Sequence, residues 1–219
     1  MIYLSWAILY EGTTDQAYYD LLIPRVMEEI VRLHGTTHST IPPDPAIRLT
    51  RGPVERVARE ACGARDAFQL AFIHADAGGR HLEATLDHRS THYCQAMHES
   101  CGWHLVRCVT ITPRHETEAW LLADPEAVCD ALGYRGPPDS VGLPVNAREA
   151  ECISDPKAVL EAAVRKVRGR RRTSNVTQIF AAIAQRQRFE RLRNAHSFAS
   201  FERNLTAALA DLGCVSSDQ

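Results

Sequence analysis

The stretch AILYEGTTDQAYY, residues 7–19, decides how the rest of the chain is read. The apolar run from Tyr3 to Leu9 has the length and character of a buried strand, and it stops at Glu11-Gly12. Thr13 or Thr14 can then cap a helix in which Ala17, Leu21, Leu22, Val26, Ile30 and Leu33 roughly keep helical spacing; Pro24 should kink or split it.

The same alternation continues outward from this unit. After a Pro-rich loop at Ile41 to Pro45, Ala46 to Thr50 reads as a weak strand, and Pro53 leads into a helix over Val54 to Ala64. Gln69 to Ile73 is a second strong strand, turning at Asp76-Ala77-Gly78-Gly79 into a helix through Leu82, Leu86, Tyr93 and Met97 that Gly102 ends. His104 to Ile111 is a third, closed by Pro113 before a short helix at Glu116 to Ala123, with Asp124-Pro125 opening the next. Strands alternating with helices imply an α/β fold with a mostly parallel sheet covered on both faces, and such sheets bind ligands at the carboxyl ends of their strands. The core so defined spans 1–132. Residues 133–155, rich in Gly, Pro and small polar residues, read as a loop or linker, and 156–219 as a helical C-terminal extension packed on the core, with segments at Pro156 to Arg168, Asn175 to Gln187 and Phe198 to Leu212.

At 219 residues the chain can bury a core without disulfides or structural metals. No run approaches the ~20 apolar residues of a membrane span, and Glu11 interrupts the first apolar run, so neither a membrane partner nor a secretion signal is expected. Seven cysteines, an odd number without a CxxC pair, lie mostly in apolar segments, as at Cys62, Cys108 and Cys129. That pattern suits free thiols in a reducing cytoplasm. The net charge of -2 makes the whole molecule no electrostatic trap for nucleic acid, yet arginines crowd the last third. Arg165, Lys166, Arg168, Arg170, Arg171 and Arg172, with Arg186, Arg188, Arg191 and Arg193 beyond, could contact phosphate backbones of DNA or RNA, form a solvated helix face, or dock an acidic partner. Sparse aromatic residues nearby argue against base stacking.

Chemistry concentrates at the strand ends. Glu11 follows the first strand, Asp76 the second strong one, and Glu116 with Glu118 the third, while Asp15 lies one helical turn beyond Glu11. Each could merely cap a helix or face water; together, gathered at one edge, they would repel unless a cation such as Mg²⁺ or Mn²⁺ neutralises them. Arg80 and Arg114, next to the turns, are candidates for holding a phosphate. His88, His92, Cys94, His98 and Cys101 share one predicted helix, but their spacing matches no common zinc framework. There is no glycine-rich phosphate loop, so any ATP dependence must come from another chain.

Residues 7–19 resemble the first Toprim motif, a hydrophobic strand ending in Glu-Gly with an acidic residue four positions on. LAFIHADAGGR, residues 70–80, sits where that fold carries an Asp-x-Asp strand end. TITPRHETEAWLLAD, residues 110–124, looks like the matching segment in small Toprim-like proteins of the RloB and AbiL type, and SFASFERNL, residues 197–205, is similar to the C-terminal helices of an uncharacterised branch of that group. The resemblance implies a metal-dependent nuclease, often beside an ATPase in anti-phage defence, in which Glu11 is the acid/base or a metal ligand, Asp76 a ligand and Glu118 the third acid. His74 stands where the first Asp of Asp-x-Asp would be. As a neutral imidazole it could bind Mn²⁺ while removing one negative charge. A module that binds nucleic acid or a partner ATPase without cleavage is the alternative, and a homo-oligomer is compatible with either.

Overall fold

The computed structural model describes residues 1–78, 90–169 and 175–216. Arg80, His88 and Arg170, Arg171 and Arg172 lie outside the described residues.

The chain forms a Rossmann-like α/β fold. Strands β1 (Ile2–Tyr3) and β3 (Ser39–Thr40) make a small parallel pair beside the main sheet. The main sheet joins β2 (Trp6–Leu9), β4 (Ile47–Leu49), β5 (Leu70–His74) and β6 (Cys108–Ile111) in the order β4-β2-β5-β6, every neighbour parallel. Between them run helices α1 (Thr13–His34), α2 (Val54–Gly63) and α3 (Thr91–Cys101). The connections leave β2 toward β4 on one side and return to β5 on the other, so the strand order reverses between β2 and β5. A crevice opens at the carboxyl end of such a switch point.

All residues of β2 and β5 are buried, which is why their sequences are apolar without interruption. Successive side chains still part to opposite faces. Trp6, Ile8, Leu70 and Phe72 enter the core shared with α1 and the C-terminal helices, whereas Ala7, Leu9, Ala71 and Ile73 face α2 and α3. Helix α1 is not split at Pro24: it runs unbroken from Thr13 to His34. Pro24 is itself buried among Leu22, Ile23, Val26 and Met27, and packing of this face offsets the roughly 3 kcal/mol cost of an internal proline. The third strand is shorter than its apolar run, starting at Cys108 after a 3₁₀ turn at Leu105–Arg107.

After β6 the chain is helical: α4 (Thr117–Leu122), α5 (Pro125–Leu132), α6 (Ala147–Cys152), α7 (Pro156–Arg168), α8 (Val176–Arg186), α9 (Phe189–Leu192) and α10 (His196–Asp211). The stretch 133–155, read from composition as loop, contains α6 and a 3₁₀ turn at Pro138–Val141, and buries Val141, Leu143, Ala147 and Ala150. Trp120 ties α4 to the C-terminal helices, with its ring against Tyr19, Phe198 and Phe201 and its Nε1–H donating to Ser197 Oγ at 2.7 Å. The buried Glu151 carboxylate accepts from the His196 and Ser197 amides, at 2.6 and 2.8 Å, and so caps α10. Gln187 bridges Tyr18 and the Trp120 carbonyl at 2.7 and 2.6 Å.

The expectation of free thiols is corrected at four positions. Cys62 is bonded to Cys101 and Cys94 to Cys108, leaving Cys129, Cys152 and Cys214 free. These pairs join α2, α3 and β6 on one face of the sheet, a proximity that partners 39 and 14 residues apart do not reveal in sequence. Cys94 and Cys101 are therefore not thiolate donors for zinc.

Mass spectrometry after alkylation without reductant is expected to find Cys129, Cys152 and Cys214 as the modifiable thiols, buried Cys129 and Cys214 only on unfolding. Reduction should lower stability by about 3 kcal/mol for each bridge, since each restricts the unfolded chain. Alkylation of all seven cysteines in the unfolded, unreduced chain would show that the bridges do not form.

Candidate carboxylate site

At the β2/β5 switch point the fold brings three expected residues into contact. His74, last in β5 and buried, lies with Nε2 3.1 Å from Asp76 Oδ1 and Nδ1 3.7 Å from Asp15 Oδ2. Asp15 comes from the first turn of α1, where a negative charge also meets the helix's unpaired amides. Asp76 is presented by a continuation of β5 whose Ala75, Ala77 and Gly78 amides donate to Ile111, Pro113 and His115 carbonyls at 3.0, 3.0 and 2.9 Å. Gly78 then turns with φ +60°, a conformation that side chains disfavour.

Thr117 joins these groups. Its hydroxyl donates to Asp15 Oδ1 at 2.8 Å, lies 3.2 Å from His74 Nε2, and accepts from Tyr19 Oη at 3.1 Å. Because the one hydroxyl proton goes to Asp15, His74 Nε2 carries a proton and donates it to Asp76. Only Nδ1 then has a lone pair, and in the neutral ring it accepts from the Glu11 amide at 3.4 Å. The Tyr19 ring packs on the imidazole at 4.7 Å between centroids.

Charge is unevenly tolerated here. Burial disfavours the His74 cation, but the Asp76 hydrogen bond and the charges of Asp76, Asp15 and Glu11 outweigh it and hold the imidazole above its ordinary pKa. Protonated, the ring supplies a positive charge between the two carboxylates. Burial raises the Asp15 carboxyl, against the lowering pull of His74 and Thr117. Glu116, preceding α4, is raised by burial and by Asp76, and its buried Oε2 has no hydrogen-bond partner among the described residues. Glu118 is raised furthest, to about 7, by burial and then by Glu116, Asp15 and Asp76.

Glu11, Asp15, Asp76, Glu116 and Glu118 therefore share one electrostatic neighbourhood. Among the described residues, however, no three His, Cys, Asp or Glu side chains are placed to close on a metal ion together. Of the expected phosphate ligands, Arg114 stands exposed in the loop before α4. The later arginines are largely engaged: Arg188 grips the buried Asp124 with contacts of 3.0 and 2.6 Å, Arg191 faces Glu126 at 3.6 Å, and Arg193 pairs with Glu202 at 2.8 Å. Arg168 donates to the Ala131 carbonyl at 3.4 Å.

Thr117 and Arg51 escaped the sequence reading. Thr117 looks like a spacer between two glutamates, although a small polar residue inside Glu-Thr-Glu was the available signal. Arg51 follows the weak strand β4, and its Nη1 donates to the Glu11 carbonyl at 2.9 Å. No known family profile, curated protein or solved structure matches this chain.

A carboxyl raised above its unfolded pKa binds its proton more tightly in the folded chain. Glu118 therefore costs stability progressively as pH rises from 4.5 through about 7, and fully above that. Glu118→Gln should raise the melting temperature above this interval and leave it nearly unchanged below it. An effect equal on both sides would show that Glu118 is not desolvated.

Proposed function

We propose that the protein is a Toprim-like phosphodiesterase that uses Mg²⁺ or Mn²⁺ to cleave DNA or RNA. The observation that carries this reading is the convergence of Glu11, Asp15, Asp76, Glu116 and Glu118 at the carboxyl edge of the sheet, where the strand order reverses.

The donor set suits a hard cation. Mg²⁺ characteristically takes one or two carboxylates and completes its shell with water and substrate phosphate, so a closed protein cage is not required. Glu11 and Asp76 would hold it, and the Glu116 oxygen that has no hydrogen-bond partner among the described residues, with the raised carboxyls, is what such a cation would satisfy. When bound, the ion would activate water and offset charge on the phosphate oxygens. Glu118, whose pKa is about 7, can take up or return a proton near neutral pH. Asp15, Thr117 and His74 orient Asp76. Arg168, Arg170, Arg171 and Arg172 would contact the nucleic-acid backbone.

A place as effector beside an ATPase in anti-phage defence belongs to this reading through the Toprim resemblance, as does a cytoplasmic setting. Among the described residues no helix is long and apolar enough to cross a membrane.

One observation favours a second reading. His74 stands between Asp15 and Asp76 and, when protonated, offsets one of their two negative charges from within. A site so balanced would serve a module that binds nucleic acid or a partner ATPase without cleavage.

Calorimetric titration of Mn²⁺ separates the two. The nuclease reading expects saturable binding that Glu11→Ala and Asp76→Ala each abolish, and that His74→Asp tightens about tenfold by exchanging a cationic neighbour for an acidic one. Absence of binding in the unaltered protein, or binding indifferent to both alanine substitutions, would leave the non-cleaving module.

A further inference from the structure

Beside the carboxylate cluster lies a cleft of about 290 Å³, bounded by Glu11, Arg51, Val54, His74, His92 and Tyr93. Among the described residues, Glu11 is the one carboxylate in its lining, against Arg51, His74 and His92. Most arginines whose contacts are defined spend their charge on carboxylates, as Arg48 does on Asp20 at 2.8 Å and Arg107 on Asp211 at 2.6 Å. Arg51 makes no ion pair among the described residues; one N–H is held by the Glu11 carbonyl, and a guanidinium has further donors to offer.

The loop carrying Arg51 is braced on both sides. Tyr93 Oη donates to the Gly52 carbonyl at 3.2 Å, and Arg56 donates to the Arg51 carbonyl. Gly52 leaves room for this, since a Cβ there would sit 2.4 Å from the Arg56 guanidinium. The Arg51 side chain is thus directed to the cleft by main-chain contacts rather than by a salt bridge that a ligand would have to break. His92, exposed on α3, adds a ring N–H donor.

We propose that Arg51, assisted by His92, grips a backbone phosphate of a polynucleotide strand in this cleft, beside Glu11. The assignment rests on the phosphodiesterase reading and gives that site the phosphate ligand sought in sequence at Arg80 and Arg114. The planar fork of an arginine matches two non-bridging phosphate oxygens. Both Arg51 and His92 are exposed at the rim, so the phosphate can belong to a strand running across the sheet edge, whereas a pocket for a free nucleotide would enclose them.

The test is fluorescence anisotropy of labelled oligothymidylate with the full chain in EDTA, so that no metal is needed for binding. Arg51→Ala and Arg51→Gln should weaken binding about tenfold and flatten the logarithmic salt dependence by about 0.7, the value for one phosphate contact on a single strand. Arg51→Lys should keep the salt dependence yet recover the affinity only in part, and His92→Ala should weaken binding less than Arg51→Ala. Arg59→Ala, removing the same charge from the exposed side of α2, should leave the slope unchanged. The proposal is overturned if Arg51→Ala behaves like Arg59→Ala, or if the unaltered protein does not bind the strand. Competition by inorganic pyrophosphate as effective, phosphate for phosphate, as unlabelled strand would also overturn it, in favour of a small phosphate ligand. If Mn²⁺ fails to bind while the arginine effect stands, the metal reading alone falls. If Mn²⁺ binds and Arg51 proves indifferent, this inference alone falls.

Discussion

The Thr117 hydroxyl donates to Asp15, lies against the protonated nitrogen of His74 and accepts from Tyr19. Through this one atom three pieces of chain, from the start of α1, the end of β5 and the start of α4, are held in register at the carboxyl edge of the sheet. The contact is buried, so losing it would strand several polar groups away from water, each at a cost of about 1–3 kcal/mol. The positions of Asp76 and Glu118 follow from it, because each lies within two residues of a member of the network.

The same network explains how so many acidic groups coexist. Their repulsion is relieved in two ways: burial and the neighbouring charges raise the Glu118 carboxyl toward neutrality, while Asp76, Asp15 and Glu11 hold the His74 imidazole above its ordinary pKa. His74 thus places a titratable ring between two carboxylates at the edge of the sheet.

Behind the site, the C-terminal helices act as a brace. Trp120, two residues beyond Glu118, packs between Tyr19, Phe198 and Phe201, while Gln187 and Arg188 fasten the chain after α8 to the Trp120 carbonyl and to Asp124. The arginines that gave the last third its basic character are in good part fasteners of this kind. Charge counted along the chain could not reveal that, because their carboxylate partners, Asp124, Glu126 and Glu202, are distant in sequence or indistinguishable from surface acids.

What the sequence determined by itself is the alternation of strand and helix. Uninterrupted apolar runs at residues 6–9 and 70–73, each bounded by turn residues, read as strands buried on both faces, and an acidic residue just past a parallel strand falls at the ligand-binding edge. Glu11, Asp76, Glu116 and Glu118 were legible for that reason. Tertiary structure alone decided the rest. It closed two cysteine pairs across α2, α3 and β6, kept α1 continuous through Pro24, folded α6 within a stretch that composition marked as loop, and turned Thr117 and Arg51 toward the site. Each of these depends on which surfaces meet when the layers pack, and local propensity and spacing carry no information about a partner tens of residues away.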